Sequence, residues 1–168
     1  MKAVIAIDSF KGSLTSIEAG NTVKQAYLDV LGGRAVVYPV ADGGEGTTEA
    51  LVEGLGGTYA EVEVTGPMGT PTKAKYGIME DGRTAVMEMA EASGIMLVKT
   101  EELNPWKAST TGVGEMIRDA VERGCREFII GIGGSATTEG GICREELLPG
   151  FRCGSCRRIG ICLPQLFY

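Results

Sequence analysis

The chain has 168 residues, of which 43% are hydrophobic, so it can bury the core of one ordinary domain or of two small ones. Its formal charge of −6 argues against nucleic acid or an anionic membrane as a partner, because both reward clustered Lys and Arg. The sequence contains no histidine, which excludes Ser-His-Asp catalysis, Cys-His catalysis and any His-ligated metal site.

The chain begins with a short apolar run, Lys2–Ile7, which stops at the polar residues Asp8 and Ser9. This pattern predicts a buried strand. The run is too short for the core of a signal peptide, and no later segment approaches the roughly 20 apolar residues of a membrane span. We therefore expect a cytoplasmic protein.

A helix and a second strand follow. Thr15 and Glu18 have the spacing of a capping box, and apolar residues continue from there at helical spacing as far as Gly32. Residues 34–40 predict a second strand, so the start of the chain has the β-α-β pattern of a Rossmann-like parallel sheet. A glycine-rich acidic loop then leads into a short predicted helix over residues 48–55.

The hydrophobic pattern changes at Thr58 to a period of two, and the hairpin signal Asp81-Gly82 joins two of the runs that follow, which predicts antiparallel strands. An amphipathic helix over 113–121 and a buried strand over 127–132 then restore the α/β pattern. The predicted fold class is therefore α/β, with a Rossmann-like parallel sheet and an inserted mixed or antiparallel β-rich segment. The predicted segments are 1–64 (Rossmann-like), 65–100 (the antiparallel start of a second domain, or an insertion), 101–141 (α/β with a glycine-rich loop) and 142–168 (a tail).

The predicted tail differs from the rest of the chain in composition. Its 27 residues contain no Ala, Val, Thr, Asp, Lys or Met, and they hold four of the five cysteines. The pair Cys153 and Cys156 is compatible with a zinc or redox site, but the spacings of Cys143 and Cys162 do not repeat it. We interpret the tail as an unrelated end of the chain, frameshifted or disordered.

Three polar loops each follow a Val/Ile-rich run: Asp8–Ser13, Pro39–Thr48 and Gly131–Gly141. Open α/β sheets bind ligands at the carboxyl ends of their strands, so we expect the three loops to form a ligand site. The third loop also contains Gly131-x-Gly133-x-x-Ala136, a pattern found in dinucleotide-binding proteins. The acidic residue expected about 20 positions later is missing, so a nicotinamide-dependent oxidoreductase is the weaker alternative.

Together, these three loops resemble the signature stretches of the bacterial glycerate kinase family, of the glycerate 2-kinase and 3-kinase type. Val64–Gly69, Glu91–Gly94 and Asn104-Pro105 match as well, in the same order along the chain. The resemblance covers Met1 to about Gly141. It implies two α/β domains, one of them Rossmann-like, and transfer of a phosphoryl group from ATP, with Mg²⁺, to D-glycerate.

The chain departs from the family pattern in two ways. Thr138-Glu139 stands where the family usually has Asn-Asp, and the family members are much longer chains. We therefore interpret the chain as an N-terminal fragment whose fold is incomplete relative to the two-domain family fold. A non-catalytic truncated remnant is the alternative function, and exposed apolar surface would then favour self-association.

Phosphoryl transfer requires positioning of the substrates and cancellation of charge on the phosphate oxygens. We assign roles to the residues of the three loops on this basis. Lys11 is suited to charge cancellation. Asp42 or Asp8 is suited to accept the proton of the substrate hydroxyl, with Asp42 preferred, and Asp8 or Glu45 would bind Mg²⁺. A turn or cap role is the alternative for both aspartates. The predicted substrate-binding and phosphate-binding residues are Ser9, Ser13, Gly43, Gly44, Glu45, Gly133, Gly134, Ser135 and Thr137.

Overall fold

The chain is described by a computed structural model that covers residues 1–10, 13–138 and 159–162. The elements follow in chain order: β1 (Lys2–Ile7), α1 (Ser16–Leu31), β2 (Arg34–Pro39), α2 (Thr47–Leu55), β3 (Gly57–Thr65), β4 (Pro71–Met79), β5 (Thr84–Glu88), α3 (Met89–Ser93), two short 3-10 helices (Ile95–Leu97 and Thr100–Glu102), α4 (Thr111–Glu122), β6 (Glu127–Gly131) and β7 (Ile159–Cys162). The helices of the described residues include none with the length and hydropathy needed to cross a membrane.

The first three elements form the predicted β-α-β unit, with β1 and β2 parallel. The capping box begins α1, because the Glu18 amide donates to Thr15 Oγ1 at 3.2 Å and the Thr15 amide donates to Glu18 Oε2 at 2.9 Å. Helix α1 packs on one face of this two-stranded sheet through Gly20, where a side chain would collide with Val37. These local signals were sufficient to predict the unit.

The opposite face of the β1–β2 sheet is open among the described residues. Val4 pairs with Val36, and Ala6 pairs with Tyr38, so all four side chains lie on this face. Val4 is 63% exposed and Tyr38 is 54% exposed, although strand residues of this kind usually pack against a second layer. The unit therefore presents an uncovered apolar surface.

The second sheet has the order β3-β4-β5-β6-β7, with antiparallel pairing in its first half and parallel pairing from β5 onward. The α/β prediction with parallel and mixed sheets is therefore confirmed. The sheet continues across the predicted segment boundary at 100/101, because β6 pairs with β5. The division into segments stays a prediction.

Helices α3 and α4 cover one face of the second sheet, and α2 lies on its other face. The core between the sheet and α4 contains large side chains with no exposed surface, among them Tyr76, Met87 and Met116. On the other face, Gly77 allows close packing of α2, because a side chain there would collide with Val52. The sheet thereby fixes the position of α2, whose first turn follows the acidic glycine loop.

The structure also contains elements that the sequence pattern did not predict: α3, the two 3-10 helices and β7. Strand β7 lies within the predicted tail and pairs with β6 in parallel, with residue 159 opposite Phe128. Cys143, Cys153 and Cys156 lie outside the described residues, as does Glu139. The interpretations of the tail and of a cysteine site stay predictions.

Candidate functional site

The three polar loops follow the carboxyl ends of β1, β2 and β6, as predicted. The second and third loops are in direct backbone contact, because the Gly133 amide donates to the Gly43 carbonyl at 3.0 Å. A Cβ atom on Gly133 would lie 2.7 Å from Gly44 Cα, and one on Gly131 would lie 2.6 Å from the Gly43 oxygen. Glycine is therefore required at these positions for the two loops to approach each other.

This contact bears on the predicted binding of phosphate by the backbone amides of Gly133, Gly134 and Ser135. The Gly133 amide already donates a hydrogen bond to Gly43, so it is not available to a phosphate in this arrangement. Among the described residues, the amides of Gly134 and Ser135 have no acceptor. The predicted phosphate binding would therefore depend on these two amides.

The third loop is fixed from its other side by the segment after α3. The Ala136 amide donates to the Ser93 carbonyl at 2.8 Å, and the Ile95 amide donates to the Gly134 carbonyl at 2.9 Å. Within the loop, the Ser135 and Thr137 hydroxyls are hydrogen-bonded at 2.7 Å. These contacts hold the backbone around Gly134 and Ser135 in one shape. They also give the Glu91–Gly94 stretch a structural function.

The first loop lies at the end of β1. The Ser9 amide donates to Asp8 Oδ1 at 2.7 Å, and the Ser13 amide donates to the Phe10 carbonyl at 2.8 Å. Asp8 therefore holds the turn that follows it. Lys11, the predicted charge-cancelling residue, lies outside the described residues.

The second loop contains the preferred catalytic aspartate. Asp42 is half-buried, and its Oδ1 accepts the Gly44 amide at 2.9 Å. Thr47 closes the loop, since its hydroxyl donates to the Gly44 carbonyl at 2.7 Å. Asp42 therefore holds a turn, which is the structural role that the sequence analysis gave as the alternative to catalysis. This role is compatible with catalysis, because a carboxylate has about four lone-pair directions and can accept several hydrogen bonds at once.

The sequence analysis did not identify Glu88, which the structure places against the start of α2. Its side chain is 5% exposed, Oε1 accepts the Thr48 amide at 2.7 Å, and Oε2 accepts the Gly46 amide at 3.3 Å. Gly46 precedes α2 and has no side chain with which to cap it, so Glu88 serves as the cap from β5. The only signal in the sequence was a carboxylate within the apolar run 85–89.

Burial raises the pKa of the Glu88 carboxyl above its usual value, and the Thr48 amide bond acts in the opposite direction. Because the folded pKa is raised, the contribution of Glu88 to stability is fully present below the pKa of the unfolded chain. This contribution is lost as the pH rises through the folded pKa. The ionised carboxylate is therefore held at a cost in stability, which the charge-assisted bonds to α2 partly offset.

A cavity of about 360 Å³ lies between the first loop, the start of α1, the second loop and the second sheet. Ser9, Ser13 and Glu45 line it, so three predicted substrate-binding residues lie around one space. The described lining also contains four further glutamates and one lysine, which are Glu18, Glu49, Glu88, Glu91 and Lys75. An anionic substrate would need additional positive charge here.

The residues that the structure describes contain no group of three acidic or cysteine side chains placed to hold a metal ion. A magnesium site at this place would therefore depend on fewer than three protein side chains of this kind. Mg²⁺ is commonly bound by one or two carboxylates together with substrate phosphates and water. Asp8 and Glu45 fit that arrangement in chemical type.

Comparisons with known proteins match most of the chain to one family. The model of the glycerate kinase family matches residues 3–147, so the match ends within the predicted tail. The glycerate kinase of Bacillus subtilis is 48% identical over 151 residues, which is 89% of this chain and 40% of that protein. The glycerate 2-kinase of Escherichia coli is 45% identical over 142 residues, which is 84% of this chain and 37% of that protein.

A solved structure shows the same fold. The crystal structure of a protein described as glycerate kinase 2 from Salmonella typhimurium LT2 matches with a TM-score of 0.80 and 44% identity, over 88% of this chain and 40% of that one. The chain spans about 40% of the length of the relatives it matches. Since the family model covers most of its residues, the chain belongs to the glycerate kinase family.

Proposed function

We propose that this chain supplies part of the active site of an enzyme that transfers a phosphoryl group from ATP to D-glycerate. The observation that carries the proposal is the meeting of the loops: the second and third are hydrogen-bonded through Gly43 and Gly133, and the first and second line one cavity. Phosphoryl transfer depends on such positioning more than on covalent chemistry by the protein.

In this proposal, Asp42 orients the substrate hydroxyl and accepts its proton, with Asp8 as the second candidate base. The amides of Gly134 and Ser135 donate to phosphate or to the substrate carboxylate. Lys11 cancels charge on the transferred group. Mg²⁺, held by Asp8 or Glu45, would neutralise phosphate oxygens and offset the excess of glutamates in the cavity lining. We place the reaction in the cytoplasm, with small-molecule substrates.

The alternative is a chain of the same family without turnover. The observation that favours it is the short coverage, since the matched relatives are about two and a half times the length of the matched region. The nicotinamide alternative has less support, because the Gly133 amide donates to Gly43 and is not aimed at a pyrophosphate.

An ATP-coupled turnover assay with D-glycerate tests the proposal. It would compare this chain with a chimera in which residues 1–141 are followed by the part of the Bacillus subtilis glycerate kinase that comes after its residue aligned with Gly141. Turnover by this chain supports the full proposal, and turnover by the chimera alone identifies this chain as a non-catalytic member that retains its part of the site. Inactivity of both, with the chimera folded, would contradict the roles given to the loops.

We propose further that the chain self-associates through the open face of the β1–β2 sheet. Val4, Val36 and Tyr38 form an exposed apolar row there, and burying it would release surface from water. Light scattering at several concentrations is expected to show oligomers. The variant with Val4→Lys and Tyr38→Lys should shift the population to monomer, and a wild-type protein that stays monomeric at all concentrations would contradict this proposal.

A further inference from the structure

Glu88 connects the second sheet to the loop that contains Asp42. Its carboxylate accepts the amides of Gly46 and Thr48, which lie 42 and 40 residues away in the sequence. Glu88 is the last residue of β5 and pairs with Gly131 of β6, so its backbone belongs to the second sheet. The two bonds therefore fix the start of α2 against that sheet.

Two other contacts of the same loop lie nearer its beginning. Gly43 is held by the third loop through the Gly133 amide, and the Gly44 amide is held by Asp42 itself. Helix α2 has no cap of its own, because Gly46 lacks a side chain and has a left-handed conformation with φ 90°. Without Glu88, the end of the loop that leads into α2 would lose its only side-chain cap among the described residues.

The bonds to Glu88 also occupy amides at the start of α2 that could otherwise bind an anion. The start of α2 carries partial positive charge and would otherwise attract a phosphate. The Glu88 carboxylate already occupies the amides of Gly46 and Thr48 there. These two amides are therefore not available to a phosphate, and the first turn of α2 is used to hold the second loop in place.

We propose that Glu88 is a positioning residue, which sets the location of Asp42 by clamping the Gly46–Thr48 backbone to the second sheet. This inference rests on the proposed function for its effect on turnover, but the positioning itself can be measured without turnover. Glu88 is not proposed to contact the reacting atoms.

The test variant is Glu88→Gln, which keeps the size of the side chain but offers only one oxygen acceptor for the two amides. Because one of the two amides loses its acceptor, we expect the melting temperature to fall, and its measurement verifies that the variant is folded under the conditions of the tests. A matched control is Glu115→Gln. Glu115 also accepts a backbone amide, that of Thr65 at 2.6 Å, but it lies on α4 away from the loops.

Nuclear magnetic resonance of the 168-residue chain gives the first readout. In Glu88→Gln, the amide resonances of Gly43 and Gly44 should shift and their hydrogen exchange should become faster, although the amides that donate to Glu88 are those of Gly46 and Thr48. The same resonances should stay unchanged in Glu115→Gln. Unchanged Gly43 and Gly44 resonances in a folded Glu88→Gln variant would overturn the proposal, whether or not the chain has activity.

Turnover gives the second readout, in this chain or in the chimera, whichever is active as wild type. We expect Glu88→Gln to lower kcat by about 10²-fold, the effect of a roughly 1 Å misplacement, with little change in the KM for ATP. Glu88→Asp, which restores the charge with a shorter reach, should recover part of kcat. Wild-type kcat in Glu88→Gln would overturn the proposal, and absence of activity in both wild-type proteins would count against the proposed function alone.

Discussion

Replacing Asp42 by Asn is expected to lower kcat for D-glycerate phosphorylation by about 10²- to 10⁴-fold, the usual contribution of a general base. The substitution is chosen because Asp42 Oδ1 accepts the Gly44 amide at 2.9 Å, and the amide oxygen of Asn can accept the same bond. The bond to the Gly44 amide should therefore be kept while the negative charge and the proton-accepting oxygen are lost. The measurement is steady-state turnover of whichever protein is active, this chain or the chimera.

The matched control is Asp81→Asn. Asp81 makes the same kind of turn, with Oδ1 accepting the amides of Arg83 and Thr84, but it lies in the hairpin between β4 and β5. We expect this variant to keep wild-type kcat. A similar kcat for wild type and Asp42→Asn would show that Asp42 has only the turn role, and the role of base would then pass to Asp8. Equal losses in both variants would indicate a general effect of these turns on stability.

Local chemistry explains which parts of the structure were predictable. The capping box of Thr15 and Glu18 depends on residues three apart, so its pattern is complete in the sequence, and α1 begins where it predicts. The loops after β1, β2 and β6 were likewise predictable, because an apolar run followed by Gly and polar residues marks the end of a strand.

The contacts between distant segments were not predictable in this way. Glu88 reaches α2 across 40 residues, and a single sequence gives no measure of which carboxylate will face which amide. The same limit applies to Gly133, whose glycine pattern is typical of phosphate binding, although its amide is used by Gly43. Helix α3 has only five residues, which is too short to produce a helical period in the sequence.

The second large effect is expected from Gly133→Ala, because one methyl group would separate the second and third loops. The added Cβ would lie 2.7 Å from Gly44 Cα and 3.2 Å from both the Gly43 oxygen and the Gly44 nitrogen, and all three atoms are backbone that cannot rotate away. Overpacking of this kind typically costs about 1–3 kcal/mol of stability. If the loops shift by roughly 1 Å to relieve it, kcat should fall by about 10²-fold.

The substitution isolates sterics from hydrogen bonding, since Ala keeps the amide that donates to Gly43. Its control is Gly54→Ala in α2, where the added Cβ would lie 3.6 Å from Pro39 Cγ, an ordinary contact. Gly54→Ala should raise the free energy of unfolding by up to about 1 kcal/mol, because Ala favours the helix. Urea unfolding of both variants measures the stability difference, and turnover measures the effect on the site. If Gly133→Ala matches wild type in both measurements, the close approach of the two loops is not required, and the third loop would have to act on its ligand independently of Asp42.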